Sequence, residues 1–241
     1  MGAPISPDLL LKAYALGVFP MADDRDAPDV YWVEPNKRAI LPLEGFHLSR
    51  SLRKTIRSER FETSYNRAFH QILLGCAAPA PDRPGTWINR QIEEAVLRLH
   101  ALGHAHSIET WLEGELVGGL YGISLGRAFF GESMFSRATD ASKVAFAHLV
   151  ARLRAGGFTL LDCQFQTPHL RSLGAVEISK ARYSGLLDEA LSATGASGAA
   201  SGDFSALDAL PEPPAISPPR ATIVPGPTSA WRILQALTHT S

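Results

Sequence analysis

The sequence predicts an α+β chain, and three observations carry that reading. Arg90 to Leu102 and Ala141 to Arg154 have helical period, the second with Val144, Ala147, His148 and Ala151 on one face. Between them, His106 to Gly131 alternates and is broken by short turns at Glu113-Gly114 and Gly126, which predicts an antiparallel meander. Beyond the second helix, Phe158 to Gln164 returns as an apolar strand. Strands in a run, flanked by helices rather than alternating with them, mark the α+β class.

The elements follow in order. Ser6-Pro7-Asp8 is a helix start, with Ser at the cap and Pro in the first turn, and Leu9 to Leu16 is the helix, stopped by Gly17 and Pro20. Tyr31-Trp32-Val33 and Ala39-Ile40-Leu41 read as extended segments set off by Pro35 and Pro42. Ser49 caps a helix to about Ser58. Phe61 to Ser64 reads as a strand, Ala68 to Cys76 as a helix, and Ala77 to Gly85 as a Pro-rich loop. Gly103 closes the Arg90 helix in the expected C-terminal position. The meander runs His106 to Leu112, Leu116 to Ser124 and Ala128 to Gly131, and Asp140 is the expected cap of the next helix. Gly156-Gly157 ends it. Leu170 to Leu173 is a short turn or helix, and Ala181 to Ser192 a final helix. Residues 195–230 are dominated by Gly, Ala, Ser and Pro and cannot bury enough apolar surface to offset their ordering entropy. Residues 193–241 therefore read as a flexible tail, with Trp231 to Leu237 able to dock back.

Composition excludes more than it identifies. A formal net charge of −1 gives no global field for nucleic acid or membrane, and no apolar run approaches a membrane span. Cys76 and Cys163 supply neither a disulfide framework nor a metal quartet. The N-terminus shows no charged segment followed by an apolar one, so a cytoplasmic protein is expected.

Four constellations bear on chemistry. Phe129-Phe130-Gly131-Glu132-Ser133-Met134-Phe135 places one carboxylate among aromatic and apolar residues, where an ionised group needs a partner. Leu160-Leu161-Asp162-Cys163-Gln164 is an apolar strand ending in polar groups, and the two segments together suggest a pocket with a few polar teeth. Arg50, Arg53, Lys54 and Arg57 fall at i, i+3, i+4 and i+7, so one helix face carries four cations: a solvated surface or a phosphate footprint. His104 and His106 point to one side of a strand but lack a third local ligand, and Cys163 is a nucleophile only if a base adjoins it. Among the aromatics, Trp87 stands out as a pocket wall, because it follows the Pro84-Gly85-Thr86 loop and precedes a helix.

Read together, several stretches resemble the leucyl/phenylalanyl-tRNA–protein transferase family. They are Gly118-Gly119-Leu120-Tyr121-Gly122, Phe130 to Arg137, Ala141-Ser142-Lys143 and Asp162-Cys163-Gln164. Leu102 to Glu109, Gly17 to Met21 and Ser172 to Ala175 agree, so the resemblance runs from about Ile5 to Leu187. It implies a small N-terminal domain with the basic helix (1–60) and a GNAT-like acyltransferase domain (61–192) with a mixed, largely antiparallel sheet flanked by helices. It also implies transfer of Leu or Phe, and less Met, from aminoacyl-tRNA to proteins beginning with Arg or Lys, a mark for N-end degradation. Asp162 and Gln164 are then the catalytic pair that handles the amine. Glu132, Trp87, Leu120, Phe129, Met134 and Met21 surround the terminal adenosine and aminoacyl group, and Arg50, Arg53, Lys54 and Arg57 hold the acceptor stem. Met21 stands where relatives often have Trp, Leu120 where Met is frequent, and Val96 where Tyr can occur.

The implied reaction needs no ATP, metal, CoA or other cofactor, because an aminoacyl ester is already activated; a monomer is expected, without membrane contact. A neutral amide such as Gln164 is too weak a base to keep a proton, so an orienting hydrogen bond suits it, with electrostatic support from Asp162. Two rivals stand beside this reading: a cell-wall aminoacyl-tRNA-dependent peptidyltransferase, and a non-catalytic tRNA-binding module. A CoA-dependent acetyltransferase would need a Gly-rich loop before the central helix, and Ser136 to Asp140 contains no Gly.

Overall fold

The computed structural model describes residues 4–80, 85–192, 201–211 and 227–238. Helix α1 (Pro7–Ala15) starts at Ser6, whose hydroxyl accepts from the Leu9 amide, and carries Pro7 in its first turn. An antiparallel pair follows, β1 (Phe19–Met21) against β2 (Tyr31–Val33). The chain continues through β3 (Lys37–Ile40), α2 (Arg50–Arg57), β4 (Glu62–Tyr65), α3 (Phe69–Ala77) and α4 (Arg90–Ala101). The meander is β5 (Ala105–Leu112), β6 (Glu115–Leu125) and β7 (Ala128–Ser136). Then come α5 (Ala141–Ala155), β8 (Leu160–Asp162), α6 (Pro168–Ser172), β9 (Val176–Ser179), α7 (Lys180–Ser192) and, last, α8 (Ala230–Thr238).

The main sheet has seven strands in the order β4-β5-β6-β7-β8-β3-β9. Every neighbour is antiparallel except β7 and β8, which run parallel because α5 carries the chain across one face between them. Strand alternation sorts the core. Ile40, Tyr121, Phe130 and Leu160 face α1, α3, α4 and α7, while Ala39, Leu120, Phe129 and Leu161 face α5. Close packing on both faces depends on paired glycines in β6. A Cβ on Gly118 would meet Ala141 Cβ at 2.7 Å, and one on Gly119 would meet Ile72 Cδ1 at 2.2 Å.

The α+β class, the small N-terminal unit and the mixed, largely antiparallel sheet are as expected; several boundaries are not. The expected break at residue 60 falls inside the larger unit, because β3 lies between β8 and β9 and α2 packs on α5. The small unit is α1 with the β1–β2 pair, and the main domain begins at β3. β9 was not foreseen, since only Ile178 of its four residues is buried. Asp140 does not cap α5 through its side chain; the Ser142 amide donates to Ser136 Oγ at 3.2 Å instead.

The tail differs most from its expectation. Residues 193–200, 212–226 and 239–241 lie outside the described residues, but 201–211 and α8 are packed on α5. Phe204, Leu207 and Ile233 are buried. Arg152, fully buried on α5, donates to both carboxylate oxygens of Asp208 at 2.8 and 2.9 Å, to the Phe204 carbonyl at 3.0 Å and to the Thr228 hydroxyl at 3.0 Å. α5 is thereby covered on every side rather than on the one apolar face its sequence shows. A few apolar residues suffice because one buried guanidinium supplies the specific contacts.

Candidate active site where β7 and β8 part

The ladder between β7 and β8 pairs Ala128, Phe129 and Phe130 with Leu160, Leu161 and Asp162, and ends there. Two residues further along, β7 bulges. Tyr121 opposes Ser133 while Gly122 opposes Gly131, so Glu132 is the extra residue of the bulge. A bulge bends its strand and re-aims the unpaired side chain, here toward the end of β8. Gly122 permits the bend, since a Cβ there would meet the Phe130 carbonyl at 2.4 Å.

Asp162 is wholly buried and saturated with donors. Arg38 Nε donates to Oδ1 at 2.9 Å and Arg38 Nη2 to Oδ2 at 2.5 Å, while the Tyr183 hydroxyl donates to Oδ2 at 2.8 Å. The Gln164 amide completes the set, donating to Oδ1 at 2.8 Å. That last bond closes a turn in which Gln164 adopts φ +59°, a conformation that side-chain-bearing residues rarely hold without support. The turn aims the Gln164 amide group at the bulge, where Nε2 donates to Glu132 Oε1 at 3.0 Å. Arg38 itself lies between the rings of Phe19 and Tyr183, its guanidinium carbon 4.6 Å from each centroid, and donates to the Gly17 carbonyl at 2.9 Å. The small N-terminal unit thus helps to hold the strand end.

Arg38 and Asp162 neutralise each other, which leaves Glu132 without a full counter-charge. Burial pushes its carboxyl up to about 8, and the Asp162 charge adds to the rise. Tyr14, Gln164 and Arg38 pull the other way without cancelling it. The buried Tyr14 hydroxyl, from α1, lies near Glu132 and forms no hydrogen bond of ordinary geometry among the described residues. Beside Glu132 a cavity of about 70 Å³ is lined by Leu120, Met134, Phe146, Leu149, Leu161 and Cys163. One apolar space, one proton-holding carboxyl and one oriented amide therefore meet at the divergence.

The expected site residues divide accordingly. Glu132, Gln164, Leu120 and Met134 come together, and Asp162 stands behind them as a buried support rather than facing the cavity. Phe129 is fully buried beneath, stacked at 5.5 Å on Phe204. Trp87 and Met21 pack against the core on the Tyr14 side of the sheet and do not line this cavity. Burial pushes the Cys163 thiol up, so it stays protonated and is no nucleophile. His106 is bound by Asn66 and Ser124 and stacked on Phe204, and among the described residues no group of three metal-ligating side chains occurs.

On α2, Ser49 caps the helix and Leu52 and Ile56 are buried, which turns Arg50, Lys54 and Arg57 to solvent with Arg53 half-buried. Among the described residues none of the four side chains has an ion-pair partner. Sequence reasoning missed Arg38, Tyr183 and Tyr14. For Arg38 a signal existed: in Lys37-Arg38-Ala39-Ile40 it shares a strand face with the buried Ile40, an apolar-facing position held by a cation.

The chain matches known proteins along most of its length. A family profile described as leucyl/phenylalanyl-tRNA protein transferase matches residues 40–188, and the profile of that family's N-terminal domain matches residues 3–36. The leucyl/phenylalanyl-tRNA–protein transferase of Rhizorhabdus wittichii is 58% identical over 250 residues, covering 98% of this chain and 99% of its own. The protein of that name from Rhodopseudomonas palustris strain TIE-1 is 59% identical over 187 residues, covering 78% and 83%. A solved structure of L-PGS from Bacillus licheniformis matches 56% of this chain and 49% of its own at 16% identity and a TM-score of 0.39, a likeness that bears on neither site nor reaction.

Proposed function

Since the chain belongs to the leucyl/phenylalanyl-tRNA–protein transferase family, a family of aminoacyltransferases, we propose that it moves Leu or Phe from aminoacyl-tRNA to the α-amine of proteins beginning with Arg or Lys. The same reading makes it a cytoplasmic monomer that marks proteins for N-end degradation. The observation that carries it is the chain of contacts from Arg38 through Asp162 and Gln164 to Glu132, ending beside an apolar cavity.

The bond changes are few. A neutral acceptor amine attacks the ester carbonyl, the C–N bond forms, the C–O bond to ribose breaks, and one proton passes from nitrogen to the departing ribose oxygen. Holding ester and amine together supplies several kcal/mol of the acceleration. The apolar cavity takes the aminoacyl side chain, and Gln164 orients the reacting groups from a turn fixed by Asp162. With its carboxyl raised to about 8, Glu132 has both its ionised and its protonated form within reach near neutral pH, so the carboxylate can take the proton that nitrogen loses and the acid can return it to the leaving oxygen. This assigns the proton to Glu132 and the positioning to Asp162. The exposed cations of α2 suit the phosphates of an acceptor stem.

Incubation with labelled Leu-tRNA and two acceptor proteins, one beginning with Arg and one with Met, tests the reading. Label on the Arg protein alone is expected. Label on a peptidoglycan precursor instead would favour the cell-wall rival, and binding without transfer the non-catalytic one.

A further inference from the structure

Outside the active site, a groove of about 530 Å³ runs between α2 and α8, within the roughly 300–1,000 Å³ usual for small-molecule sites. One wall presents Arg53 and Arg57, one helical turn apart; the other presents Trp231 and Gln235, and Glu59 lies at the edge. α8 lies beyond residue 188, where the family profile ends.

α8 is fixed in place. Ile233 is 1% exposed, the Thr228 amide before the helix donates to the Thr63 carbonyl at 2.8 Å, and Arg154 Nη1 donates to the Leu237 carbonyl at its far end at 2.9 Å. Yet Trp231, the largest side chain of the helix, is 37% exposed and turned into the groove. Facing it, Arg53 and Arg57 have no ion-pair or side-chain hydrogen-bond partner among the described residues. An open indole opposite two free guanidinium groups fits a ligand that offers a flat π-face between two phosphates. A simple anion would leave the indole unused. A regular duplex would stack its bases out of reach, whereas an unpaired nucleotide presents both features, and its sugar hydroxyl or base amino group suits Glu59 as acceptor.

We propose that the α2–α8 groove extends the donor-RNA footprint of α2 past the duplex, with Trp231 stacking on an unpaired nucleotide whose flanking phosphates Arg53 and Arg57 hold, leaving the stem itself to Arg50 and Lys54. This rests on the reading above that aminoacyl-tRNA is the donor, and it adds a sequence-tolerant stacking position to a footprint that was otherwise purely electrostatic.

The test measures the Kd of the full-length protein for Leu-tRNA over a range of salt, with Trp231→Ala, Trp231→Phe and the double Arg53→Ala/Arg57→Ala. Loss of one stacked base weakens binding about 5- to 150-fold, so Trp231→Ala should fall in that range. Its log–log salt slope should not change, because no phosphate contact is lost, and Trp231→Phe should recover most of the affinity. The double Arg variant should weaken binding and shallow the slope by about 1.4 units for a single-stranded contact. A Trp231→Ala protein within twofold of wild type would overturn the proposal. So would a loss that Trp231→Phe does not relieve, or one that comes with a shallower slope, since either would make Trp231 a support for the helix rather than a platform. Wild-type protein that binds no Leu-tRNA would remove the functional reading itself, an outcome distinct from a silent Trp231.

Discussion

Gln164 Nε2 donates to Glu132 Oε1 at 3.0 Å, and through that bond the bulge of β7 and the left-handed turn after β8 hold each other in register. Each feature carries a cost of its own. The bulge leaves a carboxyl in an apolar setting, and the turn holds a side-chain-bearing residue at φ +59°. Strain of this kind persists where surrounding contacts over-determine it, and here those contacts are Arg38 and Tyr183 on Asp162.

Gln164→Ala should lower the transfer rate at saturating Leu-tRNA by about 10²-fold, the usual loss for one positioned donor. The Kd for Leu-tRNA should stay within about twofold of wild type, since the proposed stem contacts are the cations of α2. Single-turnover kinetics beside equilibrium binding checks this, and equal losses in both would disprove a role confined to the chemical step.

Arg38→Met should destabilise the protein by about 3–5 kcal/mol, because it leaves the Asp162 carboxylate buried without its counter-charge. Adding Asp162→Leu should restore much of that stability in urea titrations, yet not transfer, because the Gln164 turn would still lack its acceptor. Recovery of transfer in the double variant would mean that the ion pair serves packing alone.

Glu132→Gln should stabilise the fold at high pH while reducing transfer. The sign follows from linkage. The Glu132 carboxyl is raised in the folded state from about 4.5 to about 8, so folding is penalised progressively as pH rises through that window and fully above it. The Tm gain should therefore be near zero at pH 4 and largest at pH 9, at about 2–4 °C per kcal/mol for a chain of this size. A gain independent of pH would refute the burial argument.

On the acidic side, burial and the neighbouring positive groups lower His106 to about 4. An unfolded histidine takes up a proton near 6.5 that the folded one refuses, so stability falls as pH drops from about 6.5 toward 4. His106→Gln should flatten the slope of stability against pH in that range by up to one proton, measured by urea titration at several pH values. His148, lowered by burial and Arg152, should keep part of the slope in the variant.

Leu120→Trp should cut Phe transfer more than Leu transfer, because it fills the cavity that Leu120 and Met134 share. Apolar pockets separate donors that differ by a methylene by only about 1–3 kcal/mol, so the wild-type preference is expected to be soft. The ratio of kcat/KM for the two donors, before and after substitution, decides the matter.

Much of this was legible in the sequence because it is written locally. The meander, α2 and α4 are set by period, caps and turn residues within about a dozen positions, and Glu132, Asp162 and Gln164 stand out as polar residues in apolar surroundings. Arg38 is one of seven basic residues from Lys37 to Arg60, and only its place two residues before the apolar Ile40 on a short strand separates its buried guanidinium from the solvated ones. Tyr183 and Tyr14 are ordinary aromatic residues of helices until the sheet brings them to Asp162 and Glu132. The docking of Trp231 to Leu237 is as expected, but the segment before it was misread for a related reason. Phe204 and Leu207 are sparse amid Gly, Ser and Pro, and their docking is held by Arg152, some fifty residues upstream of the first of them.

The Arg38–Asp162 pair also sets a schedule for the molecule. Its partners are 124 residues apart, and Tyr183, which completes it, lies 21 further on. Contacts of such span form late, because the entropy of closing the intervening loop must be met first. During synthesis the nascent chain therefore carries α2, with its cations exposed, long before it has a working centre. A ribosome-bound fragment ending before Tyr183 is a chain that presents its cationic helix but lacks the hydroxyl that completes the support of Asp162.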